Sequence, residues 1–201
     1  MSIYIEKNRK TKKLIQDTFL RLLDEKSFES ITIGDIAKAA QINRGTFYLH
    51  YYDKYNLLEQ MEQQLIEDLG KHIDELQARY FDTDNNQADA FQVEQEHLAN
   101  MLFSFIKMHA SMLKIFLSDH GRAGFHIRFK EAFSEKVRIN IERNKQFFNQ
   151  LNVPIDYFLS FITSAFLGLI EQWVQNNLDK SPQEMTELYI NIILFIQGKE
   201  R

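Results

Sequence analysis

The sequence predicts an all-α protein, a three-helix N-terminal head followed by a larger helical body, with about nine helices in all. Three observations predict it. Only 7 Gly and 2 Pro occur in 201 residues, so few positions interrupt a helix. Apolar residues recur every three or four positions along most of the chain. Runs of β-branched residues bounded by turn signals, the mark of strands, are almost absent. A hydrophobic share of 44% with 26% charged residues is that of an ordinary globular protein.

From Thr11, the residues Ile15, Phe19, Leu22 and Leu23 mark a first helix that fades near Lys26 and Ser27. Thr32 opens a second as N-cap, with Asp35 in its first turn and Ile33, Ile36, Ala37 and Ala40 as its apolar face. Asn43 caps a third, which turns Phe47 and Tyr51 inward. Asp53 caps a fourth, where Leu57, Met61, Leu65, Leu69, Ile73, Leu76 and Tyr80 repeat with only Gly70 inside. The polar cluster from Asp82 to Asn86 ends it.

Five more helices follow. Phe91, Leu98, Leu102 and Phe105 mark one; Met112 to Leu117 mark a short one that stops near Asp119 to Gly121. Phe125, Phe129, Phe133, Val137 and Ile141 mark the next. Pro154 stands as the first residue of another, carried on by Phe158, Ile162, Phe166, Leu169 and Trp173. The last opens on a capping box, Ser181-Pro182-Gln183-Glu184, and closes after Ile196 with Gly198 as C-cap.

Charge divides the chain. Net charge is −4, yet residues 1–55 carry +3 and the remainder −7. A basic head on an acidic body fits one module that meets polyanions and another that does not. Arg9, Lys10, Lys12 and Lys13 read either as an arm that neutralises DNA phosphates or as an ordinary basic terminus. Cysteine is absent, which excludes disulfides, thiolate catalysis and Cys-based zinc sites and fits a reducing cytoplasm. No apolar stretch follows the basic start as in a signal peptide. The segment from Tyr157 to Ile170 is broken by Ser160, Thr163, Ser164 and Gly168, short of the roughly 20 apolar residues of a membrane span.

The segment from Thr32 to Lys54 has the form of a helix-turn-helix. Small Ala37 and Ala40 allow close helix packing, Gln41-Ile42-Asn43 makes the turn, and Ile42 anchors it inward. The third helix then offers Arg44, Thr46, Tyr48 and His50 to phosphates or base edges, while Gly45 leaves room for a close approach. The alternative is a compact three-helix subdomain with no DNA role.

Over about residues 8–60 this segment resembles the DNA-binding head of the TetR family. The resemblance rests on Thr32, Asp35-Ile36-Ala37, Arg44-Gly45-Thr46-Phe47-Tyr48, His50-Tyr51, Asp53-Lys54 and Leu57-Leu58. It implies a DNA-binding domain at 1–55 and a helical regulatory and dimerisation domain at 56–201. It also implies DNA contacts from Thr32, Arg44, Gly45, Thr46, Tyr48, His50 and Lys54, with Phe47 and Tyr51 in the core. Two departures stand out. Gln41 occupies a turn position usually held by Gly, and Asn43 replaces the usual capping Ser.

The body is rich in aromatic residues, which either fill a core or line the small-molecule pocket that such proteins enclose. Phe105, His109, Phe129, Phe133 and Phe166 are the pocket candidates. His120, His126 and Arg122 mark either a pocket rim or a plain surface, and no metal pattern is present. Phe158, Ile162, Phe166, Ile170 and Trp173 with Leu188, Ile192 and Phe195 are the candidate dimer interface. The implied partners are a palindromic operator in double-stranded DNA, a second copy of the chain and an unknown small-molecule effector, with no cofactor and no membrane. No phosphate loop, nucleophile elbow or zinc-protease motif points to an enzyme. The expected function is a cytoplasmic repressor released by its effector. The alternative is an activator or adaptor whose body binds a protein.

Overall fold

The computed structural model describes residues 2–80, 88–117, 124–143 and 153–196. Among them are nine α-helices, one 3-10 turn and no strand. They are α1 (Ser2–Glu25), the 3-10 turn (Phe28–Ser30), α2 (Ile33–Ala39), α3 (Arg44–Tyr48) and α4 (Lys54–Tyr80). Then come α5 (Ala88–Met108), α6 (Ala110–Phe116), α7 (Phe125–Arg143), α8 (Ile155–Gln175) and α9 (Pro182–Ile196). The all-α expectation holds, with the head and body helices in the expected order. The breaks placed at Asp82 to Asn86 and Asp119 to Gly121, His120, Arg122 and the Gly198 cap lie outside the described residues.

The chain forms two compact units. The first is Met1–Leu65 together with Lys114–Phe125. Its core is built from Ile15 and Phe19 of α1, Ile36 of α2, Phe47 and Tyr51, and Leu57 and Leu58 of α4, all at most 2% exposed. Phe28 docks edge-on against Phe19 at 6.2 Å and Tyr55 at 5.0 Å, locking the 3-10 turn to α1 and α4. Phe116 packs against Phe125 at 5.1 Å in the same unit.

Two expectations are corrected. The first helix begins at Ser2, not near Thr11, because no breaker lies between them and a Lys10–Glu6 pair at 2.9 Å supports that turn. The basic residues therefore ride on a helix and do not form an extended arm. Pro154 is the N-cap of α8, extended at φ −58° and ψ 137°, so the helix starts one residue later.

The second unit is Ile66–Leu113 with His126–Arg201. α5 and α9 pack together in it. Phe103 is fully buried and meets Phe166 at 5.2 Å and Trp173 at 5.7 Å. Gly70 explains itself here: a Cβ would stand 3.3 Å from Lys136 Cε, and Lys136 reaches Asp74, one turn on, at 2.6 Å. The capping box of α9 is as expected. The Ser181 N–H donates to Glu184 Oε2 at 2.7 Å, and the Glu184 N–H donates to Ser181 Oγ at 3.2 Å.

Against the sequence estimate, α8 is long and apolar enough to cross a membrane by length and composition, with 21 residues and a mean hydropathy of 1.3. One side of it is core: Leu159, Thr163, Phe166, Ile170, Trp173 and Val174 are buried. The other side carries exposed Tyr157 and Phe161.

Candidate nucleic-acid interface

The interface candidate is built by local hydrogen bonding around two short helices. At the start of α2, Thr32 and Asp35 form a full capping box. The Thr32 N–H and hydroxyl donate to Asp35 Oδ2 at 2.9 and 2.7 Å, and the Asp35 N–H donates to Thr32 Oγ1 at 3.1 Å. These bonds from Thr32 hold the Asp35 pKa below its ordinary value. The Thr32 hydroxyl proton is thereby committed within the head.

The turn between the helices is a Schellman motif. The Ile42 N–H donates to the Ala37 carbonyl at 2.9 Å and the Gln41 N–H to the Lys38 carbonyl at 3.2 Å. That ladder requires a left-handed residue at Gln41, which adopts φ 55° without being glycine. The cost is on the order of 1 kcal/mol. The departure noted in the sequence thus leaves the turn intact.

Asn43 then caps α3, its Oδ1 accepting from the Thr46 N–H at 2.7 Å and from the Thr46 hydroxyl at 3.0 Å. With Phe47 and Tyr51 buried, the helix must turn Arg44, Gly45, Tyr48 and Leu49 outward, and all four are exposed. Tyr48 leans edge-on against Phe47 at 5.8 Å, which steadies the phenol while leaving it in solvent. Arg44 crosses over Gly34 of α2, where a Cβ would stand 2.7 Å from Nη2. Gly34 leaves the space that the Arg44 guanidinium occupies, a role not evident from the sequence. A glycine early in a helix, where it costs stability, was the available signal.

The remaining site residues sit at the flank. Thr46 and His50 are half-buried. Burial, and then the nearby Lys12 ammonium, lower the His50 pKa. Lys12 itself lies 5.7 Å from the Tyr51 ring, so part of the basic N-terminal row borders α3.

Lys54 differs most from expectation. Its ammonium donates to the carbonyls of Phe28, Glu29 and Ile31 at 2.8, 2.9 and 2.8 Å, and it stands 4.7 Å from the Phe28 ring. All three of its protons are used inside the head. The resemblance implied a DNA contact for Lys54; the structure gives its side chain a packing role, closing the 3-10 turn.

In the body, the pocket candidates form two groups. Phe105 lies against His109 at 4.3 Å and against His72 at 5.3 Å. Phe133 stacks on Phe166 at 5.1 Å. Phe129 is buried. Neither of the two described cavities is lined by them. One, about 510 Å³, lies along α9 from Lys180 to Phe195; the other, about 290 Å³, lies beside Glu96, Asn100 and Gln183. His126 bonds Glu171 at 2.8 Å.

Of the dimer candidates, Phe166, Ile170 and Trp173 are buried within the chain itself. Phe158, Ile162 and Leu188 are half-buried, whereas Ile192 and Phe195 are exposed.

The fold and this site define an all-helical protein with a helix-turn-helix head and a separate helical body, the class of bacterial transcriptional regulators. Residues 15–61 match the family described as bacterial regulatory proteins, tetR family, and residues 94–194 match its transcriptional regulator C-terminal region. The chain belongs to the TetR family. It is 27% identical over 173 residues to the HTH-type transcriptional regulator YxbF of Bacillus subtilis, covering 86% of this chain and 42% of that protein. It is 31% identical over 98 residues to the HTH-type transcriptional regulator AcrR of Shigella flexneri, covering 49% and 43%. The chain thus spans less than half the length of these two relatives. In fold it is similar to a TetR transcriptional regulator from Streptococcus agalactiae, with a TM-score of 0.61, 20% identity and coverage of 96% and 98%. It is also similar to FadR of Bacillus subtilis, solved with stearoyl-CoA, with a TM-score of 0.63, 15% identity and coverage of 94% and 99%.

Proposed function

We propose that this TetR-family regulator is a cytoplasmic, non-enzymatic repressor that binds a palindromic DNA operator as a homodimer and leaves it when a small molecule binds the body. The observation that carries the reading is the outward side of α3, where Arg44 and Tyr48 stand exposed, with Lys12 at the Tyr51 flank. These groups suit phosphate contacts and base edges. Residues 1–55 act as the DNA-binding domain, with Thr32, Gly45, Thr46 and His50 around that face. Residues 56–201 regulate and dimerise.

A single α3 reads only a few base pairs, so two heads reading half-sites roughly 34–36 Å apart make a specific reader. Apolar Tyr157, Phe161, Ile192 and Phe195 on α8 and α9 supply the surface for a second copy. An effector releases DNA if it favours a head spacing that the operator does not fit, a coupling of about 1–3 kcal/mol. α4, which contributes residues to both units, is the natural carrier. A similar protein of Escherichia coli, 25% identical over 179 residues, is described as "Probable acrEF/envCD operon repressor", which supports repression. The FadR neighbour bound to stearoyl-CoA supports an apolar effector.

Selection of bound sequences from a random DNA pool, with and without candidate ligands, tests the reading. Enrichment of a palindrome, bound less tightly as salt rises, is the expected result. A pool that stays random defeats it.

A further inference from the structure

Gly45 and Leu49 stand one helical turn apart on the outward side of α3. The Leu49 N–H donates to the Gly45 carbonyl at 3.1 Å, and Leu49 keeps helical angles, φ −70° and ψ −18°. Helical side chains lean toward the N-terminus, so the Leu49 isobutyl group inclines over the turn where Gly45 has no side chain. A Cβ added at Gly45 would meet Asn43 Oδ1 at 3.1 Å and otherwise open space. Leu49 and the open space at Gly45 thus share the outward side of the helix, and Arg44 and Tyr48 are exposed as well.

A lone exposed leucine is ordinary on a protein surface. This one is 82% exposed and lies on the face that the helix-turn-helix offers to a groove. It has no part in the core, which uses Phe47 and Tyr51, nor in the cap, which uses Asn43 and Thr46. Exposed Arg44, and Lys12 near the Tyr51 ring, supply positive charge around the helix that brings DNA backbone close. Most groups on the major-groove edges are hydrogen-bond donors or acceptors, which a leucine would desolvate without replacing the lost bond. The thymine 5-methyl is the exception.

We propose that Leu49, over the space left by Gly45, reads the 5-methyl group of a thymine in each operator half-site. This rests on the DNA-binding reading above and adds to it a named contact and the base it selects.

The test uses the full chain and an operator obtained by selection. Each thymine is replaced in turn by deoxyuridine, symmetrically in both half-sites, which removes the methyl and nothing else. One position per half-site should weaken wild-type binding by roughly four-fold per methyl lost. Leu49→Ala, a change at an exposed position whose folding is checked by its thermal transition, should bind the thymine and uracil operators equally. Wild-type indifference to every replacement overturns the assignment, as does discrimination that persists in Leu49→Ala. Both outcomes leave DNA binding standing. Failure to select any sequence instead overturns the DNA-binding reading, and the methyl contact with it.

Discussion

The ammonium of Lys54, at the first turn of α4, lies 2.8 Å from the carbonyl oxygen of Ile31, the residue just before the α2 cap. The same ammonium holds the Phe28 and Glu29 carbonyls. Lys54 therefore ties the start of α4 to the chain entering α2, and so helps to set the pose of the helix pair. Lys54→Met leaves three carbonyls without this donor, and should destabilise the chain by about 2 kcal/mol in urea unfolding. Operator affinity should fall while its slope against salt stays unchanged. A residue whose main role is to neutralise a phosphate would instead lower that slope by about 1. A lower slope with unchanged stability would return Lys54 to the phosphate backbone.

Gln41 stores strain that a glycine would release. At φ 55° its Cβ crowds the backbone, whereas glycine takes that angle freely but loses more freedom on folding. The balance predicts a gain of about 0.5 kcal/mol for Gln41→Gly and a loss above 1 kcal/mol for the β-branched Gln41→Val. Denaturation midpoints of the two variants check it. A destabilised Gln41→Gly would mean that the glutamine side chain contributes something other than its backbone angle.

Much of the head, and the start of α9, was legible in the sequence because the decisive bonds are local. Thr32 with Asp35, Asn43 with Thr46, Asp53 with Asn56 and Ser181 with Glu184 each join residues three apart, a spacing that can be read directly. Lys54 and Gly34 were not legible in that way. Their roles depend on a carbonyl 23 residues away and on a guanidinium from the next helix. The same limit affected α8: apolar periodicity identified the helix, but with apolar residues on two sides it could not tell which side is core.

Stability should fall as pH drops below about 6.5. The pKa values of His50 and His109 are both lowered from 6.5, with burial as the first cause in each. For His109, Asp68 raises it in part and His72 lowers it further. A lowered folded value means that the unfolded chain takes up the proton first. The contribution is therefore complete above 6.5 and is lost as pH falls toward the folded values. The carboxylates of Asp35 and Glu184, lowered from 3.8 and 4.5, titrate in a separate, more acidic window. Urea midpoints from about pH 7.5 to about 5.5 should decline for the wild type, and less steeply for His109→Gln. Identical slopes in the two proteins would remove His109 as a source.

The two sides of α8 give opposite expectations for substitution. Trp173 is 2% exposed, meets Phe103 at 5.7 Å, and donates its indole N–H to the Lys180 carbonyl at 3.2 Å. Trp173→Ala should cost about 3–5 kcal/mol of folding stability whether or not the chain is dimeric. Phe161 is 60% exposed on the opposite side, near in sequence to Tyr157 at 74%. If that side meets a second copy, Phe161→Glu places a charge in an apolar interface but leaves the protomer core intact. The expected product is a folded monomer by sedimentation, with helical content retained and operator binding weakened because two heads are no longer held together. A Phe161→Glu protein that sediments as a dimer would move the interface off this face. Loss of helical content in that variant would show instead that Phe161 belongs to the core.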